Sequence, residues 1–354
     1  MDFTGGITFT GGMSVTAQPP PPSNKAIFGY GSTTVAVSMT NLVSNTGVVG
    51  NDVTGVGTAR GELAAAGYGT DKAIFGYGIS SGGYASMTNL VSNTGVVATD
   101  TTGVGTARPG LAAAGYGTDK AIFGFGTNRV SMTNLVSNTG VVATDTTGVG
   151  TGRHLLAAAR YSTDKAIFGY GYINPVTAIT NLVSNTGVVA TDTAGVGTGR
   201  YGLAAAGYGT DKAIFGYGTG FGGSPYYSLT NKVANTGVVA TDTTGVGTAR
   251  NYIAASSYGV DTAVFGYGAT AVVVVSLTNL VSNTGVVATD TTGVGTARYG
   301  LAAAGYGTDK AIFGYGYTTD NVSMTNLVSN TGVVATDTTG VGTARRYIAA
   351  AAYG

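Results

Sequence analysis

Residues 310–316 read Lys-Ala-Ile-Phe-Gly-Tyr-Gly, and this marker occurs seven times along the chain with small changes. Its copies start 45 to 50 residues apart within a chain of 354 residues. The starts are Lys25, Lys72, Lys120, Lys165, Lys212, Thr262 and Lys310. A fixed period of this size is typical of propellers and solenoids, in which each unit buries its faces against its neighbours. A residue present in every copy is therefore expected to serve the scaffold, and function is expected where the copies differ.

One unit of the repeat contains four short runs separated by turn signals. In residues 298–345 these are YGLAAAGYG at 299–307, the marker, SMTNLVS at 323–329 and VVATDT at 333–338. The Asn-Thr-Gly before the last run favours a hairpin turn, because Asn and Gly tolerate positive φ. No run shows helical periodicity. The pattern predicts an antiparallel meander of four strands in that order, with the alanine-rich run innermost, where only small side chains fit.

The order of these runs resembles the kelch repeat. An arginine, an alanine-rich strand, a second strand that ends in Gly-Tyr-Gly and two outer strands recur over residues 25–354. The outer-strand tryptophan of kelch is absent, since the chain has no Trp. The resemblance implies an all-β, seven-bladed β-propeller whose blades are four-stranded antiparallel sheets.

The two ends of the repeat array complement each other. The first marker has no alanine-rich run before it, whereas residues 348–354 (IAAAAYG) form such a run with no marker after it. The C-terminal strand is therefore expected to complete the first blade, which closes the ring and removes open sheet edges. A β-solenoid or filamentous β-array is the alternative.

The composition argues against several classes of function. The chain has no Cys, one His (His154), a net charge of +1 and only 9% charged residues. This charge gives no footprint for nucleic acid, and no apolar stretch reaches the ~18 residues of a membrane helix. A kelch-like copper oxidase or sialidase would lack its ligands. We therefore expect no enzyme, no cofactor, no metal site, no nucleic-acid partner and no membrane insertion.

The repeated charged residues are expected to be structural. One arginine and two aspartates recur in nearly every unit, whereas an active site would use unlike residues. We expect the arginines to hydrogen-bond carbonyls or carboxylates between blades, and the aspartates to act as turn groups or arginine partners. The arginines are Arg60, Arg108, Arg153, Arg200, Arg250, Arg298 and Arg345. The aspartates before the next arginine include Asp100, Asp145, Asp192, Asp242, Asp290 and Asp337.

The segment before the first marker differs from the repeat. Residues 1–18 contain two short β-prone runs around Gly-Gly and predict a β arm, and residues 19–24 begin with four prolines and predict a stiff spacer. Four apolar side chains of the arm are expected to share one face, namely Ile7, Phe9, Met13 and Val15. The arm is expected either to pack on its own propeller or to add a strand to another subunit.

Two segments vary between copies, the link of four to nine residues after the marker and the two residues after the repeated arginine. In a meander blade both segments emerge on one face of the disc, as expected for a binding surface on a rigid scaffold. Glu62 is a further charged candidate there. The main candidates are Tyr84, Arg129, Tyr172, Phe221, Tyr226, Tyr227, Tyr252, Tyr317, Asp320 and Tyr347. Drift of unconstrained loops is the alternative explanation.

The near-identical repeats, the low charge and the FTGGITFTGG arm are similar to structural proteins of tailed bacteriophages of aquatic bacteria. This similarity implies a non-enzymatic display protein of a virion, or an extracellular one, which is anchored by residues 1–24 and presents the variable face. One alternative is a lectin-like or protein-binding propeller that binds a host-surface glycan or protein. Another is a filament subunit that assembles with copies of itself through the N-terminal strands.

Overall fold

A computed structural model describes residues 24–354, which form an all-β structure without an α-helix. The predicted arm of residues 1–18, with its four apolar candidates, lies outside the described residues. So do residues 19–23 of the predicted spacer. The described residues are therefore those of the repeat region.

Seven three-stranded antiparallel sheets make up the repeat region, and each combines an alanine strand, a central strand and a TNLV strand. The alanine strands are Ala64–Tyr68, Ala112–Tyr116, Ala157–Tyr161, Ala204–Tyr208, Ala254–Tyr258, Ala302–Tyr306 and Ala349–Tyr353. The central strands are Lys25–Gly29, Lys72–Gly76, Lys120–Gly124, Lys165–Gly169, Lys212–Gly216, Thr262–Gly266 and Lys310–Tyr317. The TNLV strands are Thr40–Val43, Thr88–Val91, Thr133–Val136, Thr180–Val183, Thr230–Val233, Thr278–Val281 and Asn321–Val328. The predicted order of the first three runs is confirmed.

The link between the central strand and the TNLV strand differs from sheet to sheet. In the second unit it folds into a small hairpin of Ile79–Ser80 and Gly83–Tyr84. The third and fifth units carry short 3-10 turns at Thr127–Arg129 and Phe221–Gly223. The links therefore differ in backbone conformation as well as in sequence.

The predicted fourth strand of each blade is wrong as a continuous strand. In the first unit, only Val49 and Val53 of this run form isolated bridges to the TNLV strand. Between them, Asn41 Nδ2 donates hydrogen bonds to the Gly50 carbonyl at 3.1 Å and to the Asp52 carboxylate at 3.0 Å. Gly50 N still donates to the Leu42 carbonyl at 2.8 Å, so side-chain and backbone bonds together hold the run along the sheet without a complete ladder.

The C-terminal strand pairs with the first central strand, as expected. Ala349–Tyr353 runs antiparallel to Lys25–Gly29, with Ala351 opposite Ile27. The same strand packs against the alanine strands Ala302–Tyr306 and Ala64–Tyr68, and every other alanine strand packs on those of the units before and after it. Contacts between the seven alanine strands therefore form a closed cycle, although each sheet remains a separate hydrogen-bonded unit.

A phenylalanine and a glycine fit together at each junction between neighbouring sheets. Phe215 of the fifth sheet lies against Gly169 of the fourth, and its ring centroid is 5.2 Å from that of Tyr170. A Cβ atom on Gly169 would lie only 2.7 Å from the Phe215 ring. The same pair recurs at every junction, including Phe28 of the first sheet against Gly314 of the seventh.

The repeated arginine is fully buried at the same junctions. The Arg200 guanidinium lies 4.1 Å from the centroid of the Tyr170 ring. Its Nη2 donates to Asn231 Oδ1 at 2.6 Å, its Nε to the Tyr217 carbonyl at 2.7 Å and its Nη1 to the Thr198 carbonyl at 2.9 Å. The arginines bond carbonyls as expected, but Tyr217 and Asn231 lie in the sheet that Arg200 itself leads into, and the contact with the preceding sheet is the Tyr170 ring.

An aspartate completes each polar junction. Asp242 accepts hydrogen bonds from Thr198 N at 2.9 Å, Thr198 Oγ1 at 2.7 Å and Asn231 Nδ2 at 3.0 Å, and lies 3.8 Å from Arg200. Burial alone raises the pKa of Asp242, but these hydrogen bonds and the arginine together lower it below its usual value. The carboxylate thus stabilises the fold at neutral pH, and this contribution is lost as acid protonates it.

Replacement of Gly169 by alanine tests the phenylalanine–glycine fit. We expect Gly169→Ala to lower the free energy of unfolding by about 1–3 kcal/mol, because the added methyl overlaps the Phe215 ring. Urea unfolding followed by circular dichroism measures the change. Gly50→Ala is the matched control, since its Cβ would meet nothing closer than 3.6 Å and the other six units hold alanine there. Equal effects of both changes would contradict the fit.

Candidate functional site

The two variable segments lie side by side at one end of the sheets. The first residue after the repeated arginine forms an isolated bridge to the start of the link in the same unit. His154 pairs in this way with Tyr172, and Tyr299 with Tyr317. We call this end the variable face. The near-constant turns lie at the opposite end of the strands, the constant face, where Asn93 Nδ2 donates to the Asp71 carboxylate at 3.1 Å.

The second residue after each repeated arginine belongs to a ring, which we call the rim, and backbone hydrogen bonds join its neighbours at six of seven places. Leu155 N donates to the Gly110 carbonyl at 2.9 Å, Gly110 N to the Glu62 carbonyl at 3.2 Å, and Glu62 N to the Tyr347 carbonyl at 3.4 Å. The last bond joins the first rim residue of the chain to the last, which leads into the C-terminal strand of the first sheet. The rim residues are Glu62, Gly110, Leu155, Gly202, Tyr252, Gly300 and Tyr347.

Every rim residue has a left-handed backbone with φ between 49° and 65°. Glycine adopts this conformation without strain, and three rim positions are glycine. The other four carry side chains, at a cost of roughly 1–2 kcal/mol each. They are Glu62, Leu155, Tyr252 and Tyr347. Three other units have glycine at the same position. The backbone conformation therefore does not explain why these four units carry a side chain there.

The rim surrounds a cavity of about 440 Å³. One aliphatic residue from each unit forms its floor, directly after the rim residue in sequence. These floor residues are Leu63, Leu111, Leu156, Leu203, Ile253, Leu301 and Ile348. The seven rim residues, His154 and Thr127 complete the lining. We call this space the axial cavity.

Among the described residues, Glu62 is the one acidic side chain that lines the axial cavity, and no Lys or Arg accompanies it. Desolvation beside the cavity wall raises the pKa of Glu62 above its usual value. Burial, followed by the nearby Tyr201 and Tyr347, raises the pKa of Tyr252 to about 12. Burial, and then the charge of Arg129, lower the pKa of His154, so its ring is neutral. The cavity is therefore apolar below and weakly anionic at its rim.

A second group on the variable face is a cluster of four aromatic rings from the fourth and fifth units. Tyr172 and Phe221 stack with their planes 14° apart and their centroids 6.2 Å apart. Tyr201 meets Tyr172 edge-on at 5.5 Å, and His154 lies 5.3 Å from it. Phe221 is 53% exposed, so the edge of this aromatic cluster is open to solvent. Tyr201 and His154 were not among the predicted candidates.

Arg346 lies against two of the predicted tyrosines, Tyr317 and Tyr347. Its guanidinium lies 4.2 Å from the centroid of Tyr317 and 5.4 Å from that of Tyr347. Arg346 follows the repeated arginine directly and stands where no other unit has a basic residue except His154. That difference between copies was the signal by which it could have been found.

The remaining candidates are spread over the links. Tyr84 is 44% exposed at the end of the small hairpin. Arg129 lies in the 3-10 turn of the third unit, and Asp320 at the exposed tip of the last link. Tyr226 and Tyr227 are half-buried after the 3-10 turn of the fifth unit. None of these five belongs to the axial cavity or to the aromatic cluster.

A larger cavity of about 740 Å³ is lined by the alanine strands and extends toward the constant face. Arg160 lines it, where the other units have Gly, Ser or Ala. Within residues 24–354 no group of three His, Cys, Asp or Glu side chains is placed to hold a metal ion. In the same part of the chain, no helix is long and apolar enough to cross a membrane.

Replacement of Glu62 by glycine tests the strain at the rim. We expect Glu62→Gly to raise the free energy of unfolding by about 1 kcal/mol, because it removes a side chain from a left-handed backbone. Gly202→Ala places a side chain at an equivalent position and is expected to lower it by a similar amount. Urea unfolding of both variants beside the parent chain provides the measurement. Destabilisation by Glu62→Gly would show that Glu62 makes a structural contribution instead.

Comparison with known proteins gives no match: no protein-family model and no curated protein match the chain. The resemblances to the kelch repeat and to virion proteins therefore gain no support from relatives. The structure itself supports an all-β fold of repeated antiparallel sheets, compatible with a propeller-like arrangement.

Proposed function

We propose that the chain is a non-enzymatic recognition protein, a seven-bladed β-propeller that binds a partner with its variable face. The observation that carries the proposal is the rim, where four units hold side chains on a strained backbone that glycine would relieve. Strain of this kind persists where function requires it and the surrounding structure holds it in place. The variable links beside the rim extend the same surface.

The cycle of contacts between units supports the propeller. The seventh sheet meets the first through Phe28 on Gly314 and through Arg345, which leads into the last strand of the first sheet and lies 4.2 Å from the centroid of the Tyr315 ring of the seventh sheet. These are the contacts that join consecutive sheets elsewhere. An open solenoid would leave the first and last sheets without them, so the two architectures differ in one junction.

The closing junction provides the test of the ring. Gly314→Ala is expected to destabilise the chain as much as Gly169→Ala, because in a ring both methyl groups meet a phenylalanine of the next sheet. Urea unfolding of the two variants under the same conditions compares them. A normal midpoint for Gly314→Ala beside a lowered midpoint for Gly169→Ala would show that the array is open.

The aromatic cluster favours a carbohydrate as the partner. The Tyr172–Phe221 stack offers an apolar, partly exposed surface, and the tyrosine hydroxyl groups beside it can hydrogen-bond to a polar ligand. Tyrosine-rich loops on a rigid scaffold are typical of adaptable recognition surfaces. As a display protein of a virus particle, the setting that the sequence resemblance implies, the chain would present this face to a host surface.

A glycan array with fluorescently labelled full-length chain tests this function. We expect binding to at least one class of glycan. The double variant Tyr172→Thr, Phe221→Ser, in which the first change introduces the residue of the neighbouring unit, should weaken it at least tenfold. Val238→Ser is the matched control, since Val238 is 67% exposed on the constant face. Absence of glycan binding, or equal binding by the double variant, would argue against the proposal.

A further inference from the structure

Glu62 lines the axial cavity while remaining exposed to solvent, and no Lys or Arg of residues 24–354 forms a salt bridge with it. Partial desolvation raises its pKa, with no contribution from a neighbouring cation. No Lys or Arg is among the residues that line the cavity. A carboxylate beside an apolar surface attracts a cation more strongly than it does in bulk water, because the local dielectric constant is lower. The charge of the site thus selects a positively charged ligand.

The floor of the cavity restricts the kind of cation. It consists of seven leucine and isoleucine side chains, one from each unit. A metal ion needs several oxygen or nitrogen ligands, and the described residues hold no such group around Glu62. A strongly hydrated ion would place its water shell against aliphatic carbon. An ion with apolar substituents would instead bury them on the floor.

Two tyrosines complete the site beside the carboxylate. Tyr252 and Tyr347 both line the cavity, and burial keeps their hydroxyl groups protonated at physiological pH. The face of a neutral aromatic ring attracts a cation, most strongly where water is excluded. Both tyrosines, like Glu62, occupy left-handed rim positions where other units have glycine. The three side chains that would bind a cation are thus three of the four that strain the rim.

We propose that the axial cavity binds an organic cation, an ammonium ion with apolar substituents, through Glu62, Tyr252 and Tyr347. The inference rests on the proposed recognition role of the variable face and names the ligand class for its centre. The ammonium group lies beside the Glu62 carboxylate and the two rings, and its substituents point to the aliphatic floor. The site takes either a free ion or the side chain of a lysine from a partner.

Isothermal titration calorimetry of the full chain with tetramethylammonium chloride at pH 8 tests the proposal. We expect saturable binding at one site, and no saturable binding of tert-butanol, which has a similar shape without the charge. Glu62→Gln keeps the size of the side chain and is expected to weaken binding at least tenfold. Tyr252→Leu should weaken it several-fold, whereas Tyr252→Phe, which retains the ring, should not.

Val238→Ser is the control, because Val238 is exposed on the constant face and does not line the axial cavity. It is expected to bind tetramethylammonium as the parent chain does. A parallel titration with acetyl-Gly-Lys-Gly-amide identifies the source of the cation: tighter binding than tetramethylammonium points to a partner's lysine, weaker binding to a free ion. Either result requires that the axial cavity binds the cation.

Lack of saturable binding by the parent chain, or equal binding by Glu62→Gln, would overturn the inference. The glycan array separates this failure from that of the proposed function. Glu62→Gln is expected to retain glycan binding at the aromatic cluster, while the double variant of that cluster retains binding of tetramethylammonium. Thermal unfolding of each variant confirms that a loss of binding is not a loss of fold.

Discussion

The buried arginine between neighbouring sheets is the interaction on which the rest of the structure depends. A guanidinium group remains charged at any physiological pH, and burial of an unpaired charge costs several kcal/mol. Arg200 meets this cost with an aromatic ring, an asparagine, two carbonyl groups and a nearby carboxylate, all at one junction. Asn231, Tyr217 and Asp242 lie in the same unit as Arg200. The Tyr170 ring that covers the guanidinium belongs to the preceding sheet, so the arginine is buried only when neighbouring sheets are in place. Seven such junctions make the assembly of the units a condition for burial of their charges.

The same arginine also determines where the functional surface lies. The chain passes from the buried arginine to the alanine strand in three residues, and the left-handed rim residue makes the turn between them. At six of the seven places, the backbone N–H of a rim residue donates a hydrogen bond to the carbonyl of the preceding rim residue. The axial cavity thus forms where seven identical turns meet. Its position follows from the scaffold, and its chemistry depends on which residues occupy the turns.

Much of the fold could be predicted from the sequence, because the repeat fixes turn signals and strand order in every copy. The pairing of residues 349–353 with the first central strand followed from counting the runs. The interrupted fourth strand could not be predicted, because the run VVATDT has ordinary β-prone residues. Its departure from the ladder comes with hydrogen bonds that the buried Asn326 donates to the Ala335 carbonyl and the Asp337 carboxylate. The rim was also missed as a strained ring, although Gly110, Gly202 and Gly300 at one position of the repeat were a signal of positive φ.

In a ring of seven identical units, a ligand on the axis meets the same chemical group seven times. Such an environment suits a symmetric partner better than a single small molecule. Recognition of one asymmetric ligand at the centre requires that some units depart from the others without loss of the scaffold. The rim position permits this, because its side chain faces the cavity and its backbone bonds to the next unit remain whatever residue stands there. The strain of a side chain at this position is small beside the stability that the buried junctions provide. One glutamate, one leucine and two tyrosines among three glycines therefore give a symmetric scaffold an asymmetric centre.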